Sequence, residues 1–594
     1  MTALATAVGQ VLAAEGVRCA FGVVGAGNIL SVAGLTAAGV RYVAARHEGG
    51  AIAMADAYHR VSGDVAVCTT THGPGFTNVA TGLGEAAKHG SGVLVLCGYA
   101  PVRGSRRFDI DQHGLATAVG AQVRRIADPA TAVATTRDAL RLARECQRPV
   151  VLGVPGDLLA AEVPDIAELP RAAVVRRTAE LPRTAELPLT SQTPRVAPDA
   201  PRGAEKPRTT ESPVATAAPL RPSPPDRRRP AAAELDAALD LLAGARRPLL
   251  VAGLGAWRSG AAGPIARLAD RLGGLLATTV MANGLFADHA WSIGVMGGFS
   301  SPAAAELIRT ADVIVAFGAT LDDFTLHHGM LLDPSVTVVQ VDLAPGAPRA
   351  DLAVTADAAT AATELLDAAD ARRLPQTAWR QEVTGQVGRA GRPWPHVDAS
   401  TTDRIDPRTL SARLAQLLPA ERVLVLDGGH FISWPVTYWP VANPASFAFM
   451  GSAFQVIGLG FAGGVGAAAA RPGHTVVVAA GDGGSLMGLS ELETLIRETE
   501  SSIVVIYDDG GYGYETNMYL PQGADRRTTQ FGDTDFAGVA RALGASAVTV
   551  RTVADLAAVK QWCAQGRCGT LVLDCKVVPD VVATFLSDLI ALRS

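Results

Sequence analysis

Acids and glycines follow two apolar runs in the last third of the chain. The turn 481–484 (Gly-Asp-Gly-Gly) follows the β-branched run 475–480, and the acids at 508–509 (Asp-Asp) end the apolar run 502–507. With an amphipathic helix predicted over 489–498, this is a βαβ unit, which places both turns at the carboxyl edge of a parallel sheet, where α/β proteins bind ligands. Glycines let backbone N–H groups approach a phosphate, and carboxylates suit Mg²⁺. The stretch predicts a metal and diphosphate site.

The spacing of this stretch resembles the signature of thiamine diphosphate (ThDP) enzymes. In that signature Gly-Asp-Gly is followed, 24 residues later, by a pair usually written Asn-Asn and then by x-x-Tyr-Gly; here the pair is Asp508-Asp509. Carried over by position, Asp482, Asp509 and the carbonyl of Gly511 are the expected Mg²⁺ ligands. Aspartate at the second position keeps an oxygen ligand and adds a negative charge. Taken alone, the segment could also be an ordinary βαβ turn whose acids cap a helix.

In the N-terminal region, Glu48 stands between a predicted strand and a predicted helix. An acid at a helix start is favourable against the helix dipole by itself. However, the segment 46–63, followed by Thr-His-Gly-Pro-Gly-Phe-Thr-Asn at 71–78, resembles the pyrimidine-binding domain of acetolactate-synthase-like ThDP enzymes. The resemblance implies that Glu48 contacts the aminopyrimidine and acts as a general acid/base, which needs a poorly solvated carboxyl group. The carbanion chemistry belongs to the cofactor.

Two histidines lie in stretches expected to border the substrate. In pyruvate decarboxylases an acid precedes the Phe-Asn of the first glycine turn, and a histidine pair occupies a later segment. Here the first turn, 25–28 (Gly-Ala-Gly-Asn), has no acid, and 108–113 reads Phe-Asp-Ile-Asp-Gln-His where acetolactate synthases have Phe-Gln-Glu. His72 stands where relatives more often carry a small residue. His72 and His113 are therefore candidate catalytic residues that contact substrate; surface or core-edge histidines are the other interpretation.

The resemblance assigns the remaining cofactor contacts by position. The loop after the predicted strand 423–426 matches one that touches the diphosphate in relatives. Ile457 matches the bulky apolar residue that supports the V-shaped conformation of ThDP, and a core position for this isoleucine is compatible with that role. The expected cofactor-binding residues are Gly25, Asn28, Gly429, His430, Phe431, Ile457, Gly481, Asp482, Gly483, Gly484, Ser485, Asp509, Gly511 and Tyr512.

Length and composition limit the remaining possibilities. The 594 residues exceed a single core and predict three or four domains, and 48% hydrophobic with 18% charged residues is typical of a soluble globular protein. A net charge of −5 gives no reason to expect nucleic acid or membrane as a partner. The seven scattered cysteines form no Cys-x-x-Cys pair, which argues against zinc, and their odd number argues against a full disulfide framework. With neither a signal peptide nor a membrane span recognised, a cytoplasmic location is expected.

Strands alternate with helices along most of the chain, which predicts an α/β fold of three doubly wound parallel-sheet domains. An N-terminal pyrimidine-binding domain is expected over 1–163, a central α/β domain over 233–370 and a C-terminal diphosphate-binding domain over 405–594. The Pro- and Arg-rich insert 164–232 repeats Arg-Thr-Ala-Glu-Leu-Pro and is expected to be disordered. A polar connector is expected over 371–404.

The central domain carries a Gly-x-Gly turn at 253–255. Without a third glycine and a well-placed acid, this is a weak dinucleotide signal. By resemblance the domain binds FAD in some acetolactate synthases and is empty in many relatives. Residues 317–324 also lack the arginines of the synthase pattern Arg-Phe-Asp-Asp-Arg. ThDP and Mg²⁺ are therefore the expected cofactors, and a domain without FAD is favoured over one with it.

The resemblance implies that a 2-oxo acid is decarboxylated on the cofactor, and that the acyl unit is then either released as an aldehyde or transferred to a second carbonyl. The absence of the pyruvate-decarboxylase acid and histidine pair favours transfer. We expect an acetolactate-synthase-like carboligase of specialised metabolism that acts on pyruvate. The alternatives are a 2-oxo acid decarboxylase with His72 or His113 as proton relay, and a non-catalytic homologue or regulatory subunit. Since family members hold one cofactor between two subunits, a homodimer or homotetramer is expected.

Overall fold

The structure is a computed structural model that describes residues 2–163, 227–390 and 395–593. Most of the predicted Pro/Arg-rich insert, residues 164–226, lies outside the described residues, so its predicted disorder stays a prediction. Three six-stranded sheets, each made of parallel strands, account for the described chain. This confirms the predicted α/β architecture of three parallel-sheet domains.

The N-terminal sheet has the strand order β3-β2-β4-β5-β7-β6, and a short antiparallel ribbon of β1 and β8 joins the ends of the domain. The strands are β1 (Thr2–Ala3), β2 (Cys19–Gly22), β3 (Arg41–Ala44), β4 (Ala66–Thr70), β5 (Val93–Tyr99), β6 (Gln122–Arg125), β7 (Val150–Pro155) and β8 (Glu162–Val163). The helices are α1 (Leu4–Ala14), α2 (Ile29–Ala37), α3 (Glu48–Ser62), α4 (Pro74–Asn78), α5 (Ala80–His89), α6 (Gln112–Ala118) and α7 (Ala132–Glu145).

The central sheet has the order β11-β10-β9-β12-β13-β14. Its strands are β9 (Pro248–Ala252), β10 (Leu275–Thr278), β11 (Ser292–Val295), β12 (Val313–Phe317), β13 (Thr337–Asp342) and β14 (Leu352–Thr355). Its helices are α8 (Ala232–Gly244), α9 (Leu254–Ser259), α10 (Ala262–Leu272), α11 (Pro302–Arg309), α12 (Ala358–Ala371) and α13 (Trp379–Ala390).

The C-terminal sheet has the order β16-β15-β17-β18-β20-β19. Its strands are β15 (Arg422–Leu426), β16 (Phe447–Phe449), β17 (Thr475–Gly481), β18 (Ser501–Asp508), β19 (Ser546–Val550) and β20 (Gly569–Lys576). Its helices are α14 (Pro407–Ala415), α15 (Ser433–Tyr438), α16 (Gly460–Ala470), α17 (Asp482–Met487), α18 (Ser490–Glu498), α19 (Gly513–Tyr519), α20 (Phe536–Ala542), α21 (Ala557–Ala564) and α22 (Thr584–Arg593).

The polar connector predicted over 371–404 is partly wrong, because it contains α13. Trp379 at the start of α13 is 1% exposed and belongs to the same core as Leu307 and Ile308 of α11. An aromatic residue buried in this way stabilises the helix against the central sheet. The first half of the predicted connector is therefore part of the central domain.

The N- and C-terminal domains share one hydrophobic core, in which α3 packs against α16. A Cβ added at Gly466 of α16 would lie 2.1 Å from the carbonyl oxygen of Met54 in α3, so the two helix backbones touch at a point that admits only glycine. Ile52 and Val465 are buried in this shared core. The contact fixes the two sheets, and hence their carboxyl edges, relative to each other.

All seven cysteines lie in the described residues and all are free thiols. Within the same residues, we find no helix that is both long and apolar enough to cross a membrane.

Candidate active site

The glycine turn after β17 is packed against the side chains predicted to bind the cofactor with it. A Cβ at Gly483 would lie 2.5 Å from the ring of Tyr512, and a Cβ at Gly481 would lie 3.2 Å from the ring of Phe431. Any side chain at Gly483 would displace Tyr512. The sequence therefore uses glycine here to bring the loops after β15, β17 and β18 together at one sheet edge.

The two predicted metal-binding carboxylates lie at this edge. Asp482 is 2% exposed, and its Oδ2 accepts a hydrogen bond of 2.9 Å from the N–H of Gly511. Burial, together with the charges of Asp509 and Asp508, raises the pKa of Asp482 to about 9. Burial and the charge of Asp508 raise the pKa of Asp509 to about 7.

A divalent cation would remove the repulsion between these buried carboxylates, and carboxylate oxygens are ligands that Mg²⁺ prefers. No group of three or more histidine, cysteine, aspartate or glutamate side chains in the described parts of the chain could hold a metal ion. A cation between Asp482 and Asp509 would therefore need backbone carbonyl and cofactor oxygens as its other ligands. The donor set fits a metal that is bound together with a diphosphate.

Asp508, which departs from the usual asparagine, has a structural partner. Its Oδ2 lies 2.5 Å from Nζ of Lys576, and the same Nζ lies 2.8 Å from Oδ1 of Asp574. Asp508 and Lys576 are paired in register on β18 and β20, and the three side chains are at most 3% exposed. The other carboxylate oxygen of Asp508 accepts the N–H of Gly510 at 3.0 Å, which shapes the turn before Gly511. Lys576 thus compensates the extra charge of Asp508.

A buried acid that the sequence reasoning missed, Asp427, joins the loop 427–431 to the loop 457–459. It accepts hydrogen bonds from the N–H groups of Gly428 at 2.8 Å, Gly458 at 3.0 Å and Leu459 at 3.2 Å. Burial raises its pKa to about 6. A Cβ at Gly428 would lie 2.9 Å from Cγ2 of Ile457, so these bonds place Ile457 against the loop 427–431, and its role in supporting the cofactor stays a prediction.

His430 is held in one tautomer. Its Nε2 accepts a 2.9 Å hydrogen bond from the N–H of Ala583, and burial lowers its pKa to about 4. The ring is therefore neutral near pH 7 with its proton on Nδ1. Nδ1 lies 3.3 Å from the position of a Cβ on Gly513, next to the loop after β18, which leaves an N–H donor at this edge.

The surroundings of Ser485, which is predicted to contact the phosphate, also fit a diphosphate. Its Oγ is buried and has no hydrogen-bond partner among the described residues. Since buried hydroxyl groups are normally hydrogen-bonded, an oxygen-rich ligand would satisfy it. Ser485, Gly483 and Gly484 are consecutive in α17, so a diphosphate bound here would meet backbone N–H groups and this hydroxyl.

Glu48 is the first residue of α3 and lies against the loop 71–78. Its Oε2 accepts a 2.9 Å hydrogen bond from Nδ2 of Asn78, and its Oε1 lies 3.1 Å from the position of a Cβ on Gly75. The side chain is half-buried. The structure thus brings together the glutamate and the glycine-rich loop that the sequence analysis linked.

The first glycine turn completes this half of the site. A Cβ at Gly25 would lie 2.6 Å from Cγ2 of Thr71, so the turn packs directly on the loop after β4. Asn28 accepts the N–H of Gly25 at 2.8 Å and donates to the carbonyl of Val23 at 3.0 Å and to Thr69 Oγ1 at 3.2 Å. These bonds use the Asn28 amide to shape the turn.

His72 belongs to the same loop. Its ring stacks on Phe108 with centroids 4.9 Å apart and an interplanar angle of 18°, and the Arg106 guanidinium lies 5.1 Å from the Phe108 centroid. Burial and the charge of Arg106 lower the pKa of His72, and Asp109 opposes the shift. The Nδ1 atom of His72 is buried and has no partner among the described residues. His72 is therefore a neutral imidazole with one nitrogen available.

His113 is not brought into this group in the described chain, because its side chain is exposed on α6. The neighbouring Gln112 points inward instead: its Oε1 lies 3.4 Å from the N–H of Gly73, and its Nε2 donates to the carbonyl of Gly98 at 3.1 Å. The sequence analysis did not single out Gln112, although this residue lies in the segment 108–113 that is compared with the Phe-Gln-Glu of acetolactate synthases.

The two halves are connected by Glu491 of α18, which is 3% exposed. Its Oε1 accepts the N–H groups of Arg46 at 3.0 Å and His47 at 2.8 Å, just before Glu48. A Cβ at Gly50 would lie 2.4 Å from the same oxygen. The start of α3 is thus seated on the helix that follows the diphosphate turn.

The glycines of the central Gly-x-Gly turn serve backbone packing. A Cβ at Gly253 would lie 2.2 Å from the carbonyl oxygen of Gly318, and one at Gly255 would lie 2.8 Å from its Cα. The close approach that these glycines permit is therefore to the turn after β12, which accounts for the motif by packing alone.

Comparison with known families agrees with this geometry. Residues 2–122 match the N-terminal TPP binding domain of thiamine pyrophosphate enzymes, residues 235–366 match the central domain and residues 427–575 match the C-terminal TPP binding domain. The chain belongs to the ThDP-dependent enzymes. It is thus an enzyme of a family that forms or cleaves carbon–carbon bonds, and thiamine diphosphate is its cofactor.

Curated ThDP enzymes similar to this chain have different activities. A probable acetolactate synthase large subunit from Methanocaldococcus jannaschii is 26% identical, with 91% of this chain and 86% of the relative covered. A sulfoacetaldehyde acetyltransferase from Castellaniella defragrans is 25% identical over 92% and 88%. A probable 2-ketoarginine decarboxylase from Pseudomonas aeruginosa is 28% identical over 84% and 80%. The relatives include both transferases and a decarboxylase, so identity at this level leaves the substrate open.

Proposed function

We propose that this chain is a ThDP- and Mg²⁺-dependent, acetolactate-synthase-like carboligase of specialised metabolism. It decarboxylates a 2-oxo acid, with pyruvate as the first candidate, and transfers the acyl unit to a second carbonyl. The observation that carries this proposal is the protonation state of His72. Its imidazole belongs to the loop 71–78, which packs against Glu48. Burial and Arg106 hold it neutral, so it is a poor proton donor.

The consequence concerns the fate of the acyl unit. Release as an aldehyde requires a proton to be delivered at the reacting carbon. Asn28 has no acidic proton and its amide is fully engaged, Asp109 is paired with Arg106 at 2.8 Å, and His113 is exposed. Because none of these side chains is a ready proton donor, we expect slow protonation, which leaves time for a second carbonyl to react.

The residues of the two halves receive these roles. Glu48 is proposed as the general acid/base at the aminopyrimidine. Asp482, Asp509 and the carbonyl of Gly511 are proposed to hold Mg²⁺, and Ser485 with the Nδ1–H of His430 to contact the diphosphate. When bound, ThDP supplies the carbanion and electron-sink chemistry. FAD has no role in this proposal, and a cytoplasmic location remains our prediction.

We further propose that the active enzyme is at least a homodimer. Apolar side chains stand exposed beside both halves of the site: Leu30 is 49% exposed near the first glycine turn, and Met487 is 55% exposed at the end of α17. Exposed apolar side chains grouped at a site are typical of interfaces. A second copy would cover them and exclude water from the cofactor.

A 2-oxo acid decarboxylase is the second candidate, supported by one observation. The unpartnered Nδ1 of His72 could relay a proton even though the ring is neutral. Product analysis separates the two proposals. The purified protein with ThDP, Mg²⁺ and pyruvate is incubated with a panel of aldehydes and ketones, and the products are identified by mass spectrometry.

We expect a coupled product that contains a two-carbon acetyl unit. Acetaldehyde as the main product, lost in His72→Phe, would instead establish the decarboxylase with His72 as its relay. If neither pyruvate nor larger 2-oxo acids are consumed, the carboligase proposal fails and a regulatory subunit becomes the better interpretation.

A further inference from the structure

A cavity of about 40 Å³ lies where all three domains meet, away from the loops of the proposed active site. The N-terminal domain contributes basic and polar side chains, the central domain contributes α9, and β16 of the C-terminal domain closes it. None of its lining residues is acidic. The basic and imidazole side chains among them are His59, Arg60, His89, Arg144 and Arg258. A volume of this size suits a few waters or one tetrahedral anion.

Arg258 is the feature that calls for a ligand. Its Nη2 donates to the carbonyl of Gly90 at 3.0 Å, and no carboxylate of a described residue forms an ion pair with it. Burial and the charge of Arg60 lower the pKa of Arg258 to about 10, so it still carries its charge at neutral pH. Arg258 is half-buried, and a guanidinium with one carbonyl acceptor keeps further N–H donors that an anion in the cavity would engage.

The nearest acids are already engaged with other groups. Asp56 and Glu85 bind Arg60 at 2.6 Å and 2.8 Å. Asp56 also accepts the hydroxyl of Ser91 at 2.5 Å, and Glu85 accepts the N–H of Phe454 at 2.6 Å. The negative charge of Asp56 therefore acts on Arg258 only over a longer distance, without a hydrogen bond between the two side chains.

The two histidines restrict the chemistry of the ligand. Nδ1 of His59 lies 3.1 Å from the carbonyl of Asp64 and must donate to it. Nδ1 of His89 lies 3.0 Å from the Ser91 hydroxyl, whose own proton is given to Asp56, so it also donates. Burial lowers both pKa values, that of His59 to about 4. Each neutral ring therefore has an Nε2 that accepts a hydrogen bond.

We propose that this cavity binds a small oxoanion that also carries a hydroxyl group, such as hydrogen phosphate or a 2-hydroxycarboxylate. The anionic oxygens would accept from Arg258, where a guanidinium fork suits phosphate and carboxylate alike. The hydroxyl would donate to an imidazole Nε2 of His59 or His89. Because residues of all three domains line the cavity, the ligand would stabilise their arrangement.

Isothermal titration calorimetry at pH 7.5 tests the proposal on ThDP- and Mg²⁺-loaded protein at matched ionic strength. Phosphate, lactate and sulfate are the probes, and sulfate carries no proton at this pH. We expect saturable binding of phosphate or lactate, with the tighter of the two identifying the source of the anion, and binding of sulfate at least fivefold weaker. Arg258→Met should weaken the phosphate affinity at least tenfold, and Arg267→Met, at an exposed position of the same domain, should leave it unchanged.

Two results would overturn the proposal. One is the absence of saturable binding of both phosphate and lactate to the wild-type protein. The other is phosphate binding that Arg258→Met does not alter, which would place the anion elsewhere, for instance at the diphosphate cradle. If Arg258→Met does not fold by circular dichroism, the comparison of phosphate with sulfate on the wild-type protein decides, since equal affinities contradict the role of the histidines.

Discussion

At the scale of single residues, Glu48 shows how a side chain of ordinary type becomes a candidate catalyst. It starts α3, where any acid would be favourable, but Asn78 holds its carboxyl group against the loop after β4, where Gly75 leaves room for it. The backbone just before it is fixed by Glu491 from another domain. A carboxyl group oriented from two sides can transfer protons at one fixed position, which is what general acid/base catalysis requires.

Glu48→Gln should lower kcat by about 10²–10⁴-fold, because the amide keeps the shape of the side chain but cannot transfer a proton. The measurement is the steady-state rate of 2-oxo acid consumption at saturating ThDP and Mg²⁺. Glu145→Gln, at an exposed position of α7, is the control and should leave kcat unchanged. Undiminished turnover in Glu48→Gln would remove the catalytic assignment.

The residue scale also separates what the sequence can indicate from what it cannot. Gly483 with Tyr512, and Glu48 with the loop 71–78, are close in space because their spacing belongs to a recognisable local pattern at strand ends. Lys576 and Glu491 act through partners that are distant in the sequence, and nothing local distinguishes them from other charged residues. Gln112 and His113 are neighbours on one short helix, and only the packed structure decides which of them faces the site.

At the scale of elements, the length of its apolar run decides whether a strand can be predicted from the sequence. The buried central strands β9 and β12 have the bounds that their apolar runs indicate. The edge strands β11, β14 and β16 have three or four residues each and carry too little pattern to be recognised. The sequence of α13 predicts a connector because it is polar apart from the few residues that the helix buries.

The buried group Asp508, Lys576 and Asp574 lies at the carboxyl end of the paired strands β18 and β20. Lys576→Met should destabilise the C-terminal domain by about 3–5 kcal/mol, because two buried carboxylates lose their cation. The measurement is the urea midpoint of unfolding, followed by far-ultraviolet circular dichroism. Lys560→Met, at an exposed position of α21, should shift the midpoint little. A midpoint for Lys576→Met that equals that of the control would show that the pair contributes nothing.

At the scale of the whole molecule, buried histidines at the junction of the domains link stability to pH. Burial and Arg258 lower the pKa of His59 from 6.5 to about 4, while Asp56 opposes the shift. Between these pH values the unfolded chain binds a proton that the folded chain does not. The stabilisation present above pH 6.5 is therefore lost as the pH falls towards 4, by roughly 3 kcal/mol for this group.

His59→Gln should flatten this part of the stability curve. The measurement is the urea midpoint at several pH values between 7 and 4.5, compared with the wild-type protein. His113→Gln, at an exposed position, should keep the wild-type slope. The same slope in His59→Gln and in the wild type would show that His59 is not the group responsible.

The proposed oligomer also concerns the whole molecule, because exposed Leu30 borders one half of the site and exposed Met487 borders the other. Leu30→Glu should convert the oligomer to monomer and weaken ThDP retention at least tenfold, since a charge in a buried interface is unfavourable. Light scattering coupled to size-exclusion chromatography measures the mass. Val397→Glu, at a position that is 88% exposed, is the matched control. A wild-type protein that elutes as an active monomer would contradict the proposed assembly.

The central claim is that the acyl unit is transferred and not released. The most direct measurement counts, in one reaction with isotopically labelled pyruvate and the best acceptor, the CO₂ released, the free acetaldehyde and the coupled product. The carboligase proposal predicts one coupled product for each CO₂ and almost no acetaldehyde. Acetaldehyde in equal amount to CO₂, with no coupled product, would contradict it and make the chain a decarboxylase.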